Sequence, residues 1–138
     1  MERIEKNLAK AKELLVKYEN AKHIWEYLNI YEKLSLYSVF LWENLSQLKT
    51  EYNRSYYRRK IAISHSFLTN RQEKISEKTC LEMANDENSE LLEQEMESEA
   101  IANRLDIFLR QINKVLEAIR TRISYEKAEK WRITSEDL

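Results

Sequence analysis

Not one of the 138 residues is glycine or proline, where average usage of ~7% and ~5% would give about ten and about seven. Tight turns at positive φ have lost their default residue. Gly-rich phosphate loops, glycine-kinked sheets and Pro-bounded hairpins are thereby excluded. What remains is a chain that can be helical almost from end to end. Charged residues make up 34% and hydrophobic residues 43%, the balance of a water-exposed helical protein rather than a disordered one.

The length suits one helical domain over residues 1–130, with enough chain to bury a core. Basic and acidic residues number 23 and 24 for a net charge of −1, so no whole-molecule field draws in nucleic acid or membrane. The single cysteine, Cys80, has no internal disulfide partner, which suits a reducing compartment. The first residues, Met1-Glu2-Arg3-Ile4-Glu5, are charged at once and hold no apolar signal core. No stretch approaches ~18 uncharged apolar residues. A soluble, cytoplasmic chain without membrane contact is expected.

Apolar residues Ile4, Leu8, Ala11, Leu15 and Tyr18 step by four and three, a narrow coiled-coil-like stripe. Asn20 is the weak point after which the pattern restarts. Tyr27, Ile30, Leu34, Tyr37, Leu41, Leu45, Leu48 and Tyr52 form a second stripe, with Ile24, Leu28, Tyr31, Val39 and Trp42 beside it. A helix apolar over so much of its circumference is expected to be central, covered on more than one side by two neighbours or a second subunit. It should run to about Asn70.

Beyond it, Thr69-Asn70-Arg71-Gln72-Glu73 offers capping-box spacings, and Ser76 can cap a short helix carrying Cys80, Leu81, Met83 and Ala84. Asn85, Asp86, Asn88 and Ser89 precede a last long segment, where Ala102, Leu105, Leu109, Ile112, Leu116, Ile119 and Ile123 keep the helical steps. Residues 131–138 have no sustained period and read as a frayed tail. The fold expected is all-α: two long helices folded back antiparallel, with a shorter helix at each end. At 1.5 Å per residue, a helix of about 45 residues is roughly 65–70 Å long, so an elongated hairpin or bundle with coiled-coil character is predicted. Two such hairpins could complete a four-layer core by dimerising.

Charge is unevenly spread. Residues 51–75 carry six basic and two acidic side chains, giving +4, whereas residues 76–100 carry one basic and nine acidic, giving −8. The basic cluster is Arg54, Arg58, Arg59 and Lys60, interleaved with Tyr52, Tyr56 and Tyr57. Rings beside guanidinium groups suit single-stranded nucleic acid, stacking bases and holding phosphates. The plainer and favoured reading is that the tyrosines finish the core stripe and the arginines form its solvated back. In the acidic run, Glu93 with Glu97 and Glu95 with Glu99 sit one turn apart. Such pairs can seat a divalent cation, but they are also ordinary on solvated helices. An acidic segment opposite a basic one could instead clamp the hairpin or set subunit register, which is the more economical reading.

Enzyme chemistry finds little to work with. Only His23 and His65 supply imidazole, and no Glu-x-x-His unit of a di-iron bundle occurs. Glu87, Glu90 and Glu93 have a spacing used for magnesium in helical nucleotide pyrophosphohydrolases, yet no Glu-x-x-Asp pair answers them. Cys80 has no histidine near it in sequence and reads as a small core residue. His65, between Ser64 and Ser66, reads as facing solvent or capping a contact. A nucleophile elbow is usually built with glycine. No catalytic residue, metal ligand, cofactor or small-molecule substrate is expected.

The segment Glu51-Tyr52-Asn53-Arg54-Ser55-Tyr56-Tyr57-Arg58-Arg59-Lys60, with Ile119-Arg120-Thr121-Arg122-Ile123-Ser124 far downstream, resembles small all-helical accessory proteins encoded by bacteriophages. The likeness is one of sequence style, and no functional residue is carried over from it. It implies a viral accessory protein in the host cytoplasm. The leading expectation is a non-enzymatic helical protein acting on another protein or its own copy as a homo-oligomer. Three Trp, eight Tyr and three Phe fit that use, because aromatic anchors are enriched in interfaces. Exposure of Trp25 or Trp131 would mark the partner surface. The alternative is a nucleic-acid-binding accessory protein of replication or recombination, using Arg54, Tyr56, Tyr57, Arg58, Arg59 and Lys60.

Overall fold

The computed structural model describes residues 2–72 and 75–136. They form four helices, α1 (Glu2–Asn20), α2 (Ile24–Gln72), α3 (Glu77–Glu87) and α4 (Ser89–Glu136), with no strand among the described residues. The fold is an all-α helical bundle in which α2 and α4 pack on each other. No helix among the described residues is long and apolar enough to cross a membrane.

The helices pack as two compact units. The first comprises residues 1–44 and 105–138, the second residues 45–104. In the first, α1, the start of α2 and most of α4 make three packed helices. Asn7 of α1 donates to the Asn44 side chain at 3.1 Å, and the Tyr18 and Tyr27 rings meet edge-on at 6.0 Å. Opposite, Arg120 of α4 donates to the Tyr31 hydroxyl at 2.8 Å and Arg122 lies 4.4 Å over the Tyr27 ring. As α2 numbers rise from 27 to 31, α4 numbers fall from 122 to 120, so this pairing is antiparallel. The core is Ala11, Leu14, Ile30, Leu34, Leu41, Leu105, Leu109, Ile112 and Ile119, all buried.

The break between α1 and α2 falls where the first stripe ends. The Asn20 side chain donates back to the Val16 carbonyl, and the buried Tyr27 hydroxyl donates to the Ala21 carbonyl at 2.8 Å. The His23 carbonyl then accepts from the Glu26 and Tyr27 amides, opening α2.

In the second unit, the remainder of α2 lies against α3 and the first part of α4. Leu45, Leu48, Cys80, Ala84 and Ala102 are buried there. Ser76 is the N-cap of α3, its hydroxyl accepting from the Thr79 amide, as its spacing suggests. Asn88 closes that helix, bonding Asp86 through its backbone and the Ser66 hydroxyl and Ala84 carbonyl through its side chain. Here too the pairing of α2 and α4 is antiparallel, with Arg59 on Glu95 and Ser66 close to Asn88.

Three expectations are corrected. Thr69 does not cap: it lies within α2 with its hydroxyl donating to the His65 carbonyl one turn back, while Glu73 of the same motif lies outside the described residues. The second short helix stands between the two long ones rather than at an end. Helix α4 continues through Glu136, because loss of apolar period alone does not stop a helix without proline or glycine; residues 137 and 138 lie outside the described residues. Helix α2 meets both α1 and α4 in the first unit, as expected of a central helix, and part of its apolar surface stays open. Beside its buried stripe, Leu28, Val39 and Trp42 are exposed.

Candidate functional site

Two surfaces stand out, one in each unit. In the second unit the basic, Tyr-rich turn of α2 divides by helical angle. Arg59 points inward and its guanidinium donates from Nε to one Glu95 carboxylate oxygen and from Nη2 to the other at 3.3 Å. Its side chain is 21% exposed and that of Glu95 only 7%, so this is a covered, two-point ion pair of the strong kind. The hydrogen bond to Glu95 raises the Arg59 pKa above its ordinary value, outweighing the opposing effect of burial. Nearby Tyr52 is also held above the usual tyrosine value, first by burial and then by the Glu99 and Glu95 carboxylates. Arg59 is thus a structural cation.

Tyr56 is half-buried, with the Lys60 ammonium 4.6 Å from its ring centre and Tyr57 edge-on at 5.6 Å. Its face is occupied by the chain's own cation. Tyr57, Arg54 and Arg58 are exposed, and at one-turn spacing they share the outer face of α2. The groove beside Arg54 and Arg58 is also lined by Glu51, Gln94 and Glu97. Two acids facing two arginines leave that groove without the one-sided positive field that phosphates need. Of six residues in the nucleic-acid alternative, four are exposed, and of these Lys60 lies over the Tyr56 ring, leaving Arg54, Tyr57 and Arg58 on the outer face.

In the first unit, two arginines of α4 are held by tyrosines. Arg120 hydrogen-bonds Tyr31, which raises its pKa, and Arg122 covers Tyr27. Among the described residues, no group of three His, Cys, Asp or Glu side chains could hold a metal ion. The Cys80 thiol is fully buried and donates to the Ile75 carbonyl. His65 is exposed, and His23 stacks on Trp25 at 6.2 Å.

The second surface is the open apolar side of α2 in the first unit. Trp25 is 66% exposed, Val39 62%, Leu36 53%, Leu28 46% and Trp42 41%. Trp131 is exposed as well. Sequence reading marked Trp25 as a partner residue if exposed and expected the flanking row to be covered by a neighbour or a second subunit; periodicity records which residues share a face and not what lies on it. Comparisons of the chain with protein-family models, curated proteins and solved structures find no match.

Proposed function

We propose that this protein is a non-enzymatic helical interaction or assembly factor, acting through contacts with another protein or with its own copy. A bacteriophage accessory role, in the host cytoplasm, is the setting this reading adopts from its sequence style. The observation that carries it is the exposed row Trp25, Leu28, Leu36, Val39 and Trp42. Five large apolar groups on one helix side are more than scattered surface hydrophobics and resemble the anchors of an interface. The test is a photo-reactive residue at Trp42 in cells making the protein. Cross-links to a protein, lost when Leu28→Glu and Val39→Glu are added, are expected. Absence of any protein cross-link from this face would overturn the reading.

The nucleic-acid reading is favoured by one observation, the exposed Arg54, Tyr57 and Arg58 on a single face. Titration with labelled single- and double-stranded oligonucleotides at low salt distinguishes the two, since electrostatic contacts are strongest there. Tight, salt-dependent binding would move the function to that face. No binding leaves the interaction reading in place.

A further inference from the structure

The open face of α2 in the first unit has an internal order that selects its occupant. Trp25, Leu28, Glu32, Ser35, Val39 and Trp42 step by three, four, three, four and three. This is the spacing of a second coiled-coil seam, on the side of α2 away from its buried Tyr27, Ile30, Leu34 and Leu41. Glu32 is exposed and Ser35 half-buried, so the seam is apolar at both ends and polar in the middle.

We infer that this face of α2 pairs with the same face of a second copy, antiparallel, to form a homodimer. The inference rests on the interaction reading above and deepens it. Turning one copy end over end about a point between Lys33 and Leu34 sets Trp25 opposite Trp42, Leu28 opposite Val39, and Glu32 opposite Ser35. Every large apolar layer then meets an apolar layer, and the one acidic layer meets a hydroxyl. A two-fold interface requires this kind of self-complementarity, in which residue i meets j and j meets i. Parallel pairing would instead stack Glu32 on Glu32 and bring Glu43 beside Glu43, two like-charge contacts that destabilise a helix pair.

The size of the surface agrees. From Trp25 to Trp42 is about 25 Å at the helical rise. Two tryptophans this exposed, with three aliphatic side chains between, offer roughly 500 Å² of apolar surface per copy. With flanking polar groups, two copies reach the lower end of specific interfaces, about 1,200 Å². A reversible dimer is therefore expected.

Sedimentation of the full chain over a concentration series tests this. Mass should rise from 16.7 kDa to twice that value. Leu28→Glu with Val39→Glu should raise the dissociation constant about 100-fold or more, because charges would be buried unpaired, with helical circular dichroism unchanged. Register is read in a Cys80→Ser background under mild oxidation. Leu28→Cys and Val39→Cys chains should form a disulfide when mixed and not when alone. A monomer at every concentration, a dimer indifferent to both glutamates, or same-position disulfides alone would each overturn the inference. If the protein stays monomeric but cross-links to another protein from Trp42, self-pairing fails while the interaction reading survives; with no cross-link either, both fail.

Discussion

Arg59 and Glu95 join α2 to α4 in the second unit through two hydrogen bonds, and neither side chain is more than about a fifth exposed. Removing one partner leaves the other charge covered and unpaired, which costs more than losing both. Glu95→Ala should destabilise the protein by about 2–3 kcal/mol in denaturant unfolding. The double change Arg59→Leu with Glu95→Leu should cost less than the sum of the single ones. Strict additivity would show that the pair is not coupled.

Tyr52 carries a pH consequence. Its pKa is raised above 10.0 by burial and by Glu99 and Glu95, so the folded state holds the phenol proton more tightly than the unfolded chain does. Stability from this group is complete below pH 10 and falls as pH climbs through the raised folded value. In an ultraviolet titration, Tyr52→Phe should remove a late-ionising phenol. A titration curve whose alkaline end is unchanged by Tyr52→Phe would contradict this.

The core of the first unit is tested at Leu41 and Leu109, both wholly buried. Leu41→Asp or Leu109→Asp would place a carboxylate among aliphatic side chains, a loss of about 4 kcal/mol or more. Leu41→Ala should cost about 2–5 kcal/mol. Helical circular dichroism and hydrodynamic size retained in both aspartate variants would refute this core.

Ser76 caps α3 through its hydroxyl. Ser76→Ala should cost about 1 kcal/mol, and its effect should be local. Amide exchange is expected to speed up in residues 77–87 and to stay unchanged in residues 4–20. Uniform acceleration would mean that α3 does not open by itself.

Arg54→Ala with Arg58→Ala bears on the nucleic-acid alternative. If those side chains contact phosphates, the salt slope of single-strand binding should fall by about 0.7 per lost contact. An unchanged slope and affinity would remove the face from consideration.

The fold was legible because its stripes are long. Steps of three and four from Tyr27 to Leu48, and from Ala102 to Ile119, single out most residues that are now buried. Asn20 and Ser76 were readable as boundaries for a local reason, side chains that bond nearby backbone. The surfaces were harder. Arg54, Arg58, Arg59 and Lys60 look alike in composition, and only the meeting of α2 with α4 decides that Arg59 alone takes Glu95. Likewise Leu34 and Val39 are equally apolar, yet one is fully buried and the other open. Local pattern carries no record of which face a neighbour covers.

None of the three tryptophans sits in the core: Trp25, Trp42 and Trp131 are all exposed. Their emission already samples water in the native state, so unfolding would shift it little. Intrinsic fluorescence should therefore be a poor gauge of denaturation for this protein and a good one for anything that settles on α2, where two of the three indoles would pass from water into a dry contact.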